Sequence, residues 1–163
     1  MLVIVSGNLS MLSTTIRTKG DFRRQTPVTL RPANGEPAIL VVEDDWSVRR
    51  FLCNILRHAT PALVVDAADP FAALSIVRKI GRPIDLLISD INLSAAISGI
   101  DLARELAATN PSMKVLLMSG VDCPQYEISP AWQFLAKPFP IKIFLDCVNA
   151  LCRSGSEPAT YFG

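Results

Sequence analysis

This chain of 163 residues is poor in several features, and each scarcity excludes a class of protein. It has one histidine, and its four cysteines form no Cys-x-x-Cys pair, so the spacing of zinc ligands is missing. No apolar run approaches the roughly 18 residues of a membrane-spanning helix, and the opening run lacks the basic flank of a signal peptide. We therefore expect a cytoplasmic protein with reduced cysteines and no membrane contact.

Charge is scarce as well, because only 19% of the residues are charged and the formal net charge is +1. A near-neutral protein presents no overall field to a polyanion, so we expect no nucleic-acid partner. Apolar residues, by contrast, make up 50% of the chain. This length and this composition predict one globular domain with a sizeable core rather than a disordered chain.

The composition changes along the chain. Residues 1–36 are rich in Ser, Thr and Arg, show no sustained period and end in a string of turn formers. We interpret them as a flexible tail or linker. The domain is expected to span residues 37–153, which leaves residues 154–163 as a short C-terminal tail.

Five short apolar runs occupy the expected domain. Most are continuously apolar rather than alternating, which is typical of parallel strands covered on both faces. Amphipathic helical patterns separate them. The alternation predicts an α/β fold with a doubly wound, five-stranded parallel sheet. The five runs are Ala38–Glu43, Ala62–Asp66, Ile84–Asp90, Lys114–Ser119 and Trp132–Ala136.

Several helix ends can be read directly. Asp69 followed by Pro70 predicts an N-cap and a first helical residue. Ser98 and Asp101 have the spacing of a capping box. Asp45 precedes another amphipathic pattern, and at this stage it is equally consistent with an N-cap and with a metal ligand.

Polar side chains that can carry chemistry close or directly follow the first, third, fourth and fifth runs. In open α/β sheets, ligands bind outside the carboxyl ends of the strands, so these side chains are expected to converge. Clustered carboxylates need neutralising charge, and oxygen ligands suit Mg²⁺. With a metal and a lysine beside it, a carboxylate can attack an electrophilic phosphorus. The side chains are those of Glu43, Asp44, Asp45, Asp90, Ser119 and Lys137.

Four motifs at these strand ends resemble the receiver domain of two-component response regulators. The resemblance covers about Pro37 to Arg153, and it implies a flavodoxin-like fold of the receiver type. The motifs are Val41-Val42-Glu43-Asp44-Asp45, Leu86-Leu87-Ile88-Ser89-Asp90-Ile91-Asn92-Leu93, Leu117-Met118-Ser119-Gly120 and Phe134-Leu135-Ala136-Lys137-Pro138-Phe139.

The resemblance implies a role for each acidic residue of the predicted site. Asp90 is the phosphoacceptor. Glu43, Asp44 and Asp90 hold Mg²⁺. Of Glu43 and Asp44, Asp44 is the one expected to bind the metal directly. The backbone carbonyl of Asn92 also reaches the metal.

The resemblance also implies a switch. Ser119 supplies the hydroxyl that responds to the phosphoryl group, and Lys137, before a cis peptide bond to Pro138, bridges that group to the acidic site. Phe134 takes the aromatic switch position. Its alternation with Trp132 is equally consistent with ordinary strand packing.

The chain departs from the usual family pattern at two places. The loop after Asp90 lacks the Pro-Gly turn that the family often shows. The chain between Ser119 and Lys137 is short, and Pro124 and Pro130 bracket its helical candidate. We therefore expect a shortened fourth helix.

These features predict a signalling module rather than an enzyme with a separate substrate, since it catalyses only its own phosphorylation and dephosphorylation. A sensor histidine kinase or phosphotransfer protein is the expected donor, and an unknown protein receives the signal. Without an evident output segment, a stand-alone receiver is expected. One alternative is a pseudo-receiver that binds partners without phosphate. Another is a metal-dependent phosphatase, but Asn92 stands where its second acid is required.

Overall fold

The computed structural model describes residues 37–94, 96–120 and 128–153. Strands and helices alternate through most of this part of the chain, as the sequence predicted. The elements are β1 (Ala38–Val42), α1 (Trp46–Ala59), β2 (Leu63–Ala67), α2 (Pro70–Ile80), β3 (Leu86–Asp90), α3 (Gly99–Thr109), β4 (Lys114–Ser119), β5 (Gln133–Ala136) and α4 (Ile141–Arg153).

The five strands form one parallel sheet in the order β2-β1-β3-β4-β5. This confirms the predicted doubly wound architecture. Each apolar run became a strand, with small shifts at the ends. The third strand begins at Leu86 rather than Ile84, because the first residue pair between β1 and β3 joins Ile39 to Leu86. The order places β1 beside β3, so the residues after these two strands meet at one edge.

Helices cover both faces of the sheet. Successive strand side chains point to opposite faces, so Ile39 and Val41 pack with α1 and α4, whereas Leu40 and Val42 pack with α2 and α3. All four of these β1 side chains are fully buried. Burial of such a side chain contributes about 1.5–3 kcal/mol. The two apolar layers therefore hold the central strands, and with them the carboxyl edge, in place.

Local sequence signals set the helix ends. The Asp45 side chain accepts hydrogen bonds from the Ser47 and Val48 amides, so it is the N-cap of α1. Asp69 caps α2. Gly81 ends that helix at φ 68°, a left-handed conformation in which a Cβ is unfavourable. The predicted capping box at the start of α3 is present.

Some expectations lie outside the described residues. These are the two tails, residues 1–36 and 154–163, and most of the segment in which the shortened fourth helix was expected, residues 121–127. Gly120 and residues 128–132, which flank that segment, contain no helix. The domain boundaries therefore stay a prediction.

The cysteines and helices of the described residues bear on two predictions made from the sequence. Cys53 and Cys147 are buried, Cys152 is half-buried, and all three are free thiols. Burial raises the pKa of Cys53 to about 11, which keeps this thiol protonated. Among the described helices, none combines the length and the apolar character needed to cross a bilayer.

Candidate functional site

Three carboxylates meet at the carboxyl edge of β1 and β3. Asp90 is the last residue of β3, and Glu43 and Asp44 follow β1 directly. Each offers an oxygen, and these three oxygens lie within 4.8 Å of one another. Glu43 is 1% exposed and Asp90 5% exposed, whereas Asp44 is half-buried. The apolar strands thus carry two acidic side chains into the protein and leave a third at the rim.

Lys137 enters this acidic cluster from the end of β5. Its backbone amide donates to the Ser119 carbonyl at 2.6 Å, and the Lys137–Pro138 peptide bond is cis. The ammonium Nζ lies 2.7 Å from Glu43 Oε2 and 2.8 Å from Asp90 Oδ2. Its side chain is only 1% exposed. We call Glu43, Asp90 and Lys137 the buried ion cluster.

Burial and pairing act against each other in this cluster. Desolvation raises the pKa of Glu43 to about 7, although attraction and a hydrogen bond from Lys137 oppose the rise. Burial lowers the pKa of Lys137, but the attraction of Glu43 and hydrogen bonds to both carboxylates outweigh it, so the net shift is upward. The lysine therefore stays charged, whereas Glu43 ionises reluctantly.

The donor set fits a divalent cation. With Asp44 ionised, three carboxylates face one ammonium, so the ionised site lacks two positive charges. Hard oxygen ligands from one or two carboxylates are what Mg²⁺ prefers. Asp45, the remaining candidate of the acidic run, is occupied as the N-cap of α1 and does not belong to the group of three. Of the two roles that the sequence allowed for Asp45, N-cap and metal ligand, the structure supports the N-cap.

Asn92 and Ser119 adjoin Asp90. The Asn92 amide donates to Asp90 Oδ1 at 3.2 Å, and its side-chain nitrogen donates to the Ser119 hydroxyl at 3.1 Å. Ser119 is the buried last residue of β4. Five of the sequence candidates with polar side chains are thus joined by direct hydrogen bonds: Glu43, Asp90, Asn92, Ser119 and Lys137.

Phe134 lies in a different environment. It is half-buried on β5 and packs, like Trp132, against the apolar layer on the α2 and α3 side. Its ring has no polar atom with which to enter the hydrogen-bonded site. The observed contacts are those of a core side chain, as the strand alternation allowed.

The helix that follows Asp90 requires a glycine at its first residue. A Cβ on Gly99 would lie 1.9 Å from the carbonyl oxygen of Asp90 and 2.7 Å from the Ser89 hydroxyl. The Gly99 amide donates to the Ile91 carbonyl at 3.0 Å. Gly99 therefore lets α3 start directly against the end of β3, a role that sequence reasoning missed. Its position just after the predicted cap Ser98 was the available signal.

Two more residues at the site were missed. The guanidinium of Arg49, on α1, donates to the Glu43 carbonyl at 2.5 Å and to the Asp44 carbonyl at 3.3 Å. Ser94 donates from both its amide and its hydroxyl to Asp44 Oδ2. Partial burial raises the pKa of Asp44, but the two hydrogen bonds from Ser94 and those of the adjoining backbone outweigh it and hold this pKa below its ordinary value.

Together the fold and the site define a flavodoxin-like α/β domain with an acidic cluster and a buried lysine at the carboxyl edge of its sheet. The chain belongs to the response regulator receiver domain family, whose sequence model matches residues 39–149. This match confirms the prediction, made from the four motifs, that the chain contains a receiver domain.

The relatives are consistent with this family. The response regulator receiver protein CpdR of Brucella abortus is 31% identical over 117 residues, which cover 69% of this chain and 92% of that protein. The sensor kinase CckA of the same organism is 32% identical over 122 residues, 72% of this chain. The chain spans only 13% of that kinase and 53% of the probable transcriptional regulatory protein TcrX of Mycobacterium tuberculosis.

Solved structures agree on the fold. The receiver domain of the hybrid histidine kinase CckA is 33% identical, with a TM-score of 0.61 over 71% of this chain and 99% of that one. Vibrio cholerae chemotaxis protein CheY4 is 23% identical, with a TM-score of 0.63 over 72% of this chain and 99% of that one. The second similarity carries the fold alone.

Proposed function

We propose that this receiver domain accepts a phosphoryl group on Asp90 in a two-component phosphorelay, with Mg²⁺ held by Glu43, Asp44 and Asp90. The observation that carries the proposal is the buried Lys137 ammonium, which contacts Glu43 and Asp90 at 2.7 and 2.8 Å. Burying a charge costs desolvation free energy, which only paired groups of opposite charge can offset. A buried ammonium is therefore better explained by the chemistry of the site than by stability. A strand-end aspartate with such a lysine beside it is suited to receive a phosphoryl group.

The expected donor is a phosphohistidine of a sensor histidine kinase or phosphotransfer protein. Similarity to the receiver domain of a hybrid histidine kinase supports this choice. An Asp90 oxygen attacks phosphorus, the bond from phosphorus to the histidine nitrogen breaks, and the imidazole leaves with that electron pair. Later attack of water on the acyl phosphate releases inorganic phosphate and restores the carboxylate.

The residues around Asp90 hold its carboxylate in position for this step. One oxygen accepts from Lys137 and the other from the Asn92 amide, so rotation of the carboxylate is restricted. Mg²⁺, when bound, balances negative charge on the phosphoryl oxygens. The backbone carbonyl of Asn92 is proposed as a further ligand. Lys137 supplies the second positive charge in a water-poor setting, where electrostatic interactions are stronger than in water.

The signal is proposed to leave through β4 and β5. Ser119 and Lys137 end or follow these two strands, and a backbone hydrogen bond joins them. A phosphoryl group that accepts hydrogen bonds from the Ser119 hydroxyl and the Lys137 ammonium therefore displaces two adjacent strand ends. Phe134, three residues before Lys137, is the proposed switch side chain. The output is contact with an unidentified downstream protein.

The alternative, a pseudo-receiver that signals without phosphate, is less favoured. It requires neither three gathered carboxylates nor a lysine buried among them, and the site has both. A metal-dependent phosphatase is also less favoured because Asn92, an amide, follows Asp90 by two residues. The receiver is proposed to span residues 37–153 between two tails.

The decisive experiment is labelling with acetyl phosphate and Mg²⁺, followed by intact mass and peptide mapping. Asp90→Asn is expected to abolish the added phosphoryl group. Asp69→Asn is the matched control, because it changes an aspartate that follows β2, two strands away from β3, and asparagine still caps a helix. Labelling of the Asp90 variant to wild-type extent, at another residue, would refute the proposal.

A second measurement separates labelling from signalling. Trp46, 60% exposed, begins α1 two residues after Asp44, and Arg50 lies 5.1 Å from its ring. Its fluorescence is expected to change when beryllofluoride and Mg²⁺ fill the site. Lys137→Ala is expected to keep some phosphoryl label but to lose the wider conformational response, measured by amide shifts along β5.

A further inference from the structure

The Asp44 carboxylate is held by a loop that lies far from it in the sequence. Ser94 follows β3, and its amide donates to Asp44 Oδ2 at 3.2 Å across a separation of 50 residues. The Ser94 hydroxyl donates to the same oxygen. The Asp45 amide donates to Asp44 Oδ1 at 3.0 Å. Three donors, from two loops, thus surround one carboxylate at the rim of the site.

The number of acceptor positions limits what this carboxylate can still do. An ionised carboxylate has about four lone-pair positions, two on each oxygen. The two donors from Ser94 account for both positions on Oδ2, and the Asp45 amide accounts for one on Oδ1. One position remains, and it belongs to Oδ1. In this arrangement Asp44 can bind a cation through one carboxylate oxygen but not through both.

The two common hard cations differ in this respect. Ca²⁺ takes 6–8 oxygen ligands in a flexible shell and frequently binds a carboxylate through both oxygens. Mg²⁺ requires an octahedron, keeps several waters and uses one or two carboxylates. We propose that Ser94 is a positioning residue that restricts Asp44 to one-oxygen binding and thereby selects Mg²⁺ over Ca²⁺. This inference rests on the proposed function, since it concerns the same cation site.

Both donors of Ser94 are needed for the restriction. Removing the hydroxyl alone frees one position on Oδ2, after which both oxygens of Asp44 can contact one cation. Partners that hold a metal ligand from outside the coordination shell commonly affect metal affinity by 10–100-fold. Ser94→Ala is therefore expected to lower the ratio of Mg²⁺ to Ca²⁺ affinity by roughly tenfold, through weaker Mg²⁺ binding and stronger Ca²⁺ binding.

The experiment is calorimetric titration of the full chain with each cation, alone, in wild type and three variants. Ser94→Thr keeps a hydroxyl and is expected to restore the wild-type ratio. Ser112→Ala is the matched control, because Ser112 is also an exposed serine and its hydroxyl donates to the Asn110 side chain. Ser112 precedes β4, so it lies at the opposite end of the sheet from the cation site. It is expected to leave the ratio unchanged. Melting temperatures in a chelator check that all variants fold.

The outcomes separate this inference from the proposed function. If wild type binds Mg²⁺ and Ser94→Ala leaves the affinity ratio unchanged, the Ser94 role is wrong and the receiver site stands. If wild type binds neither cation, the proposed metal site fails and the selectivity role fails with it. A lowered ratio in Ser94→Ala, restored in Ser94→Thr, supports the proposal.

A metal-free measurement examines the contact itself. The Ser94 amide is expected to exchange with solvent more slowly in wild type than in Asp44→Ala, because the variant removes its acceptor. Equal exchange rates in the two proteins would mean that the contact does not persist in solution, and would overturn the proposal whatever the cation affinities.

Discussion

Two groups of ion pairs among the described residues share their chemistry and differ in their surroundings. In the buried ion cluster, the paired side chains of Lys137, Glu43 and Asp90 are 1–7% exposed. On the outer side of α1, Arg57 pairs with Asp66 at 3.5 Å, and these side chains are 48% and 40% exposed. Arg49 lies between the two extremes, since its side chain is 13% exposed and also pairs with Asp66.

A short distance between two charged groups therefore does not measure the contribution of the ion pair to stability. Water and salt screen the exposed pair, whose expected contribution is about 0–1 kcal/mol. The buried ion cluster pays desolvation for every charge, so its net contribution is small even though losing one partner is costly. Such a cluster is explained by the chemistry of the site rather than by folding. Substitutions in the buried, partly buried and exposed ion pairs are therefore expected to lower the free energy of unfolding by different amounts.

The largest effect is expected for Lys137→Met. It leaves Glu43 and Asp90 buried without a counter-charge, and breaking a buried pair in this way costs about 3–5 kcal/mol. Lys142→Met is the control, because Lys142 pairs with Asp146 on the exposed surface of α4 at 2.6 Å. That change is expected to cost about 0.5 kcal/mol or less.

Chemical denaturation at pH 8 with a chelator measures both free energies of unfolding. Equal, small losses in the Lys137 and Lys142 variants would contradict the distinction between buried and exposed pairs.

The second prediction concerns pH. Burial raises the pKa of Glu43 to about 7, against an ordinary value of 4.5 that the unfolded chain regains. Between these two values the folded state holds the proton and the unfolded state releases it. This group's contribution therefore makes the metal-free protein less stable as pH rises from about 4.5 through about 7. At about 1.4 kcal/mol per unit of pKa, the loss is about 3 kcal/mol.

Denaturation across this pH range, in a chelator, tests the sign. Glu43→Gln is expected to remove the decline, and Glu105→Gln on the exposed surface of α3 is the matched control. A Glu43 variant with the same pH profile as wild type would show that other groups cause the decline.

An intermediate effect is expected for Arg49→Met. Arg49 donates to the Glu43 carbonyl at 2.5 Å and pairs with Asp66 at 3.3 Å, and it is mostly buried. Hydrogen bonds that involve a charged group contribute roughly 1.5–3 kcal/mol, so the expected loss is about 2 kcal/mol. The same denaturation assay measures it. A loss below that of Arg57→Met would reverse the proposed gradient.

The smallest effect is expected for Arg57→Met. Its pair with Asp66 is exposed, so the free energy of unfolding should fall by less than about 1 kcal/mol. High salt should remove most of that difference, because screening acts on exposed charges first. Denaturation at low and high ionic strength checks this, and a loss of several kcal/mol that salt does not reduce would place this pair with the buried ones.

Much of the site was predictable because parallel strands end at a common edge. Asp90 and Glu43 close apolar runs and Lys137 follows another, so the sequence predicts that these three side chains meet. The contacts of Arg49 and Ser94 were not predictable. An arginine on the polar side of a helix has the same pattern whether it reaches solvent or a carbonyl, and a loop serine carries no pattern at all.

Local sequence patterns specify the strands, to within a few residues, and the N-caps of the helices. Continuous apolar runs specify buried strands, and caps such as Asp69 and Ser98 act within three or four residues, so both are legible in one dimension. The pairing of distant side chains, in contrast, is set by how the strands assemble. Lys137 reaches Asp90 and Glu43 across 47 and 94 residues, and Ser94 reaches Asp44 across 50. Those contacts depend on the strand order β2-β1-β3-β4-β5, which brings distant strand ends together and which no local signal encodes.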